Sequence, residues 1–292
     1  MKKLIVLLTI VLSTVNLRAN DPSILVSPDW LYKNMGNPEL VILQTNFMRL
    51  DFEKEHIKGA RFLWPEWLSF RTPEGSDNPP TAAEATKILQ QLGINSNSKI
   101  VLCFTRTDVS ITARSFITLE YLGLKGRVYF LDGGLEAWKK AGYPMASGPG
   151  EVKKGNYVAR IDKAFVDKDY VLAALNSPDK LIVDARVKRF YDGDPTGNPR
   201  DGHISGAKNI PYVDMIDSAS LKFKPAEALQ NYFKAVVSDK QKQVIAYCFV
   251  GQTASVLYMA GRLLGYDMRV YDGSVQEWSR YENLPMEKTK KD

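Results

Sequence analysis

The sequence predicts an α/β protein made of two tandem copies of one domain, each a parallel sheet with helices on both faces. Two observations carry that prediction. Four stretches recur in the same order: Leu40-Val41-Ile42-Leu43 with Leu181-Ile182-Val183, Glu55-His56-Ile57-Lys58-Gly59-Ala60 with Gly202-His203-Ile204-Ser205-Gly206-Ala207, Ile100-Val101-Leu102-Cys103-Phe104 with Ile245-Ala246-Tyr247-Cys248-Phe249, and Leu131-Asp132-Gly133-Gly134 through Trp138 with Tyr271-Asp272-Gly273-Ser274 through Trp278. Their offsets, 147 between the histidines, 145 between the cysteines and 140 between Asp132 and Asp272, stay near one value, as a duplicated unit requires. Within each copy, short β-branched runs alternate with amphipathic segments such as 82–92 and 225–236. Parallel strands need that alternation, because each crossover must travel back over a face of the sheet.

The chain begins with Lys2-Lys3 and a nearly unbroken apolar run over residues 4–12, too short for a membrane span. A charged region followed by such a run reads as a secretory signal peptide over residues 1–20, with cleavage near Ala19 or Asn20, so an exported protein, periplasmic or secreted, is expected. Removal of residues 1–19 takes three of the 39 basic residues and no acid, leaving 36 against 33. That balance does not suit a nucleic-acid partner, and nothing after the leader suggests stable membrane insertion. The first domain is expected over 21–147, a linker over 148–156 and the second domain over 157–288. The linker holds Gly148-Pro149-Gly150 and Lys153-Lys154-Gly155, a composition that ends packed structure. An exported chain permits a disulfide, but its two cysteines each end a central strand of a different copy, so two free thiols are expected, one of them reactive.

The most informative element is the stretch from Val244 to Gly265. The run Val244-Ile245-Ala246-Tyr247 reads as a buried strand; Val256, Leu257, Met259, Ala260, Leu263 and Leu264 then recur at helical spacing up to Gly265, a left-handed C-cap. Cys248 therefore lies in a tight loop at the carboxyl end of a strand, beside a helix N-terminus. Free amides and the positive end of the helix dipole favour an anion there, hence the thiolate. A thiolate in that place can attack a sulfane sulfur and hold it as a persulfide.

This loop resembles the active-site loop of the two-domain rhodanese-type sulfurtransferases, whose Cys-x-x-Gly-x-Thr pattern Cys248, Gly251 and Thr253 match. Asp184-Ala185-Arg186, then Gly202 through Ala207 with Asn209-Ile210-Pro211, and Tyr271-Asp272-Gly273-Ser274 with Glu277-Trp278 resemble the family's other signatures. The resemblance implies two tandem rhodanese-like domains, the second catalytic. It implies transfer of a sulfane sulfur from thiosulfate or 3-mercaptopyruvate, through a Cys248 persulfide, to a thiol or cyanide, with no cofactor or metal. Cys248 would be the nucleophile, within the amides of Phe249, Val250, Gly251, Gln252 and Thr253, and the Thr253 hydroxyl would donate to the sulfur. Arg186 would bind the substrate anion, joined by Arg189, although Arg189 stands closer to it than the family's spacing.

The remaining chemistry-bearing residues read more quietly. His56 and His203 are the only histidines, but equivalent positions in two copies lie far apart, so each is expected to pin a turn by hydrogen bonds rather than share a metal. Asp184 and Asp272 are expected to hold loops at strand ends. Cys103 aligns with Cys248, yet 20 residues separate it from Gly123 where 17 separate Cys248 from Gly265. A loop about three residues longer and lacking the glycine would form no amide cradle, so a non-catalytic first domain that walls one side of the site is expected. Six residues after Cys248 stands Ala254, and no arginine precedes Arg262, so the phosphate clamp of a cysteine phosphatase is missing. Phe249 and Val250 at the loop mouth do not suit a free sulfonate, which predicts slow use of thiosulfate and a larger or less charged donor. The rival reading is an exported sulfur carrier or partner-binding module without rapid turnover.

Overall fold

The computed structural model describes residues 24–71, 77–107 and 109–289, so the expected signal peptide lies outside the described residues. Two five-stranded parallel sheets form the frame. The first contains β1 (Leu25–Val26), β2 (Leu40–Thr45), β3 (Arg61–Leu63), β4 (Lys99–Cys103) and β5 (Val128–Leu131), in the order β1-β5-β4-β2-β3. The second repeats that order as β6-β10-β9-β7-β8, with β6 (Phe165–Val166), β7 (Lys180–Asp184), β8 (Lys208–Asn209), β9 (Gln243–Tyr247) and β10 (Met268–Tyr271). Helices α1 (Pro28–Asn34), α2 (Arg49–Lys54), α3 (Ala82–Gln91), α4 (Val109–Leu119) and α5 (Gly134–Lys140) accompany the first sheet. Their counterparts in the second are α6 (Lys168–Ala174), α7 (Lys188–Asp192), α8 (Ala226–Val236), α9 (Ala254–Leu263) and α10 (Ser274–Trp278). The α/β duplication expected from the sequence is the fold observed.

The central strands are buried on both faces, which is why they read as unbroken apolar runs. Ile42, Val101, Tyr129 and Leu131 face one layer of the first unit, and Ile182, Ile245, Tyr247 and Tyr271 face the matching layer of the second. The opposite faces, carrying Leu43, Ile100, Leu102 and Phe130 in one unit and Val183, Val244, Ala246 and Val270 in the other, merge into a single cluster across α4 and α9. Each fully buried side chain of this kind contributes about 1.5–3 kcal/mol relative to exposure.

The chain between the units stays on the first one for some distance. Gly155 donates to the carbonyl of Gln90, Tyr157 to that of Ile94, and Arg160 to that of Leu122. Tyr157 and Ala159 are buried there.

Local signals decide the ends of the two central helices. Helix α9 stops at Gly265 (φ +77°), where the amide of Tyr266 reaches the carbonyl of Gly261 and that of Gly265 reaches Arg262, closing the turn over two carbonyls of the last turn. Helix α4 instead runs into a π-turn over Glu120–Leu124, with Gly123 at φ +90°. The residues that separate Cys103 from Gly123 are thus spent in helix and π-turn. The expected longer loop is absent: five residues, 104–108, lie between β4 and α4, against six, 248–253, between β9 and α9.

Candidate active site

The sheet register corrects the alignment of the two cysteines. Leu43 pairs with Leu102 and Val183 with Ala246; Leu102 pairs in turn with Phe130 and Ala246 with Val270. Cys103 therefore matches Tyr247, and Phe104 occupies the place of Cys248. The next turn agrees, since Leu135 donates to the carbonyl of Phe104 as Val275 donates to that of Cys248. Because strand side chains alternate, a one-residue step changes the face. Cys103 accordingly lies in the outer layer with Val101 and Tyr129, while Cys248 lies in the inner, shared one. Burial pushes the Cys103 thiol well above its ordinary range, and the two cysteines are free thiols.

Cys248 follows β9 directly and is almost fully buried. The loop after it turns through Gly251 at φ +79°; a Cβ there would stand 2.8 Å from Oδ1 of Asp272 and 2.9 Å from Nη1 of Arg114. No larger residue fits that close approach. The amides of Cys248 and Gly251 both donate to the hydroxyl of Ser274, at 3.1 and 3.0 Å. The hydroxyl of Ser255, in the first turn of α9, donates to the Gly251 carbonyl at 2.9 Å. Gly251 is therefore scaffold, and its amide does not join the cradle expected over Phe249–Thr253. The N–H groups of Phe249, Val250, Gln252 and Thr253 meet no acceptor among the described residues. Four free donors at the start of α9 favour a negative sulfur. Thr253 is the N-cap residue and half-buried, its hydroxyl making no cap bond.

Arg186 reaches the same sheet edge but is not an open cation. Its Nε and Nη2 hold both oxygens of Asp184 at 2.6–3.1 Å, and Nη2 also donates to the Gly202 carbonyl at 2.6 Å. Burial disfavours its charge, but the Asp184 carboxylate outweighs that and raises the pKa above the ordinary arginine value. Nη1 is buried without a partner, and the ring of Phe249 covers the guanidinium at 5.1 Å. Phe249 also meets Phe190 edge-on at 5.2 Å. Arg189 is exposed on α7, stacked 4.5 Å over Phe190, and lines a cavity of about 430 Å³ with Phe190, Asp194 and Phe249. Val250 is half-buried at the loop mouth.

The first unit closes the other side. Gln252 donates to the Ser110 hydroxyl at 3.1 Å, and Arg114 of α4, 2% exposed, is ion-paired with Asp272 and bonded to Ser69. A cavity of about 260 Å³ opens between Gln252 and Phe47, Ser69, Ile111 and Arg114. The histidines do what was expected of them. His56 bonds the Phe52 carbonyl through Nδ1 at 2.8 Å, and His203 bonds the Tyr191 carbonyl at 2.7 Å and Glu287 at 3.2 Å. Arg114 and Ser274 were missed as site residues. Arg114 gives no signal, standing in a helix of the other unit; Ser274 gives one, as the single change in a repeated Asp-Gly-Gly turn.

The rhodanese-like domain family matches residues 27–141 and again 167–281. The chain belongs to the rhodanese-like family. A protein of Pseudomonas aeruginosa named probable 3-mercaptopyruvate sulfurtransferase is 31% identical over 269 residues, covering 87% of this chain and 94% of that one. The sulfur carrier protein TtuD of Thermus thermophilus is 28% identical, with 91% and 97% covered. The crystal structure of the 3-mercaptopyruvate sulfurtransferase SseA from Escherichia coli superposes with a TM-score of 0.77 at 25% identity, covering 87% of this rhodanese-like chain and 99% of that one.

Proposed function

We propose that this member of the rhodanese-like family is a sulfurtransferase that carries the transferred sulfur as a persulfide on Cys248. The supporting observation is the loop itself: a buried cysteine at a strand end beside four loop amides without acceptors, in the one unit that has a nucleophile at this position. In the first half-reaction the Cys248 thiolate attacks the sulfur of 3-mercaptopyruvate. The S–S bond forms, the C–S bond breaks with its electron pair on carbon, and the resulting pyruvate enolate takes a proton. In the second, an acceptor thiolate or cyanide attacks the terminal sulfur, the S–S bond breaks, and the Cys248 thiolate is restored.

The relatives' names favour 3-mercaptopyruvate, and with Arg186 neutralised beneath Phe249 the exposed Arg189 is left as an open cation beside the loop, which fits a donor with a single carboxylate better than doubly charged thiosulfate. The Lys2-Lys3 start and the apolar run after it support export, testable by fractionating cells that express the full chain. The sulfur-carrier reading is supported by the similarity to TtuD alone.

The test is the intact mass of the protein after 3-mercaptopyruvate, beside Cys248→Ser and Cys103→Ser. The expected result is one added sulfur, lost only in Cys248→Ser and discharged by cyanide. Addition that persists in Cys248→Ser would overturn the assignment. Loading without repeated turnover would favour the carrier.

A further inference from the structure

The turn after β10 contains an expensive residue. Ser274 is buried and holds φ at +52°, a left-handed conformation that a side chain disfavours. The matching residue of the first unit is Gly134, at φ +57°, where glycine carries no such strain. The two turns share the left-handed conformation at this one residue, although the residue before it differs (Gly133 at φ +84°, Gly273 at φ −60°), and only the second holds a side chain there.

The Ser274 side chain makes three hydrogen bonds. Its hydroxyl donates to the Tyr271 carbonyl at 2.8 Å and accepts from the amides of Cys248 and Gly251. A hydroxyl has one hydrogen and two lone pairs, so all three bonding positions are used and its orientation is fixed. It ties the first residue of the loop to the fourth and anchors both to the end of β10. The first unit lacks both members of this arrangement. Phe104 stands where Cys248 does, and a Cβ on Gly134 would lie 2.6 Å from the Phe104 carbonyl oxygen and 2.7 Å from its ring. Nucleophile and hydroxyl are present together in one copy and absent together in the other.

We infer that Ser274 is a positioning residue: its hydroxyl sets the bend of the 248–253 loop, so that the remaining amides converge on the Cys248 sulfur. This role rests on the persulfide reading of the same loop. Without the hydroxyl, two buried amides lose their acceptor and the loop relaxes toward another one.

The test uses two variants of the full chain, Ser274→Gly and Ser274→Ala. Both delete the hydroxyl; glycine releases the left-handed strain and alanine keeps it, so their stabilities separate in favour of glycine. The readouts are the rate of persulfide formation from 3-mercaptopyruvate, resolved into kcat and KM, and the rate of Cys248 alkylation by iodoacetamide, located by peptide mass. A displaced loop predicts that both variants lose kcat on the order of 10²-fold with KM nearly unchanged, and that Cys248 alkylation changes in both alike. If Ser274→Gly keeps the parent's kcat and alkylation rate, the positioning role is wrong while the persulfide assignment stands. If the parent itself takes no sulfur, the alkylation rates still decide the role of Ser274.

Discussion

At the scale of single residues, the site differs from an anion-binding pocket by the arrangement of two aromatic rings and one carboxylate. Asp184 saturates Nε and Nη2 of Arg186, Phe249 lies over the guanidinium, and Phe190 backs Phe249. A doubly charged donor approaching Cys248 therefore meets a buried, neutral ion pair behind a ring. The double substitution Phe249→Arg with Val250→Lys would place two open cations at the loop mouth, and thiosulfate turnover should rise about tenfold, the equivalent of about 1.4 kcal/mol in the transition state. Steady-state rates with thiosulfate and 3-mercaptopyruvate check it. Unchanged thiosulfate kinetics would mean that these two side chains do not set the preference.

At the scale of elements, what was legible depended on the kind of signal. Repeats, apolar runs and helix-ending glycines are local, so the duplication, the central strands and the C-cap at Gly265 could be read directly. Strand register is not local. Aligning Cys103 with Cys248 is natural in a sequence, but backbone pairing with β2 and β5 places Phe104 there instead, and the step of one residue moves the thiol to the other face. The surplus before Gly123 went into a π-turn rather than a loop, which spacing alone cannot distinguish. Arg114 was invisible for a related reason, since its partner Asp272 is far along the chain in the other unit.

The clamp between the His203–Ile204 and Met286–Glu287 strands shows such a pairing with a pH signature. The Gly206 amide, and then His203, hold the Glu287 carboxylate below its ordinary range. A depressed carboxylate stabilises the fold above its unfolded value, near 4.5, and loses that contribution as pH falls through the folded value. Glu287 is half-exposed, so the contribution is screened and under about 1 kcal/mol. Urea denaturation of Glu287→Gln should show a small deficit at pH 7 that vanishes in acid; a deficit that grows in acid would contradict the assignment.

For the whole molecule, the decisive feature is that the inner layers of the two sheets are one cluster. Inside it, Glu120 at the end of α4 is 1% exposed and accepts from the Tyr258 hydroxyl and Arg262 of α9, each at 2.6 Å. Burial, then Glu120, pushes the Tyr258 phenol above its ordinary range, so the proton stays on Tyr258 and the network stays assembled across neutral pH. Units joined by a continuous apolar layer and a buried ionic contact should unfold together, with fluorescence and far-ultraviolet circular dichroism reporting one urea transition. Glu120→Ala leaves Arg262 without its buried carboxylate and should cost about 3–5 kcal/mol. Because that loss falls on the contact between units rather than inside either core, it should also pull the two probes apart, one unit melting ahead of the other. Two separate transitions already in the parent chain would show instead that each unit is stable alone. The first unit's wall against Gln252 and Gly251 would then be a docking contact rather than part of one cooperative core.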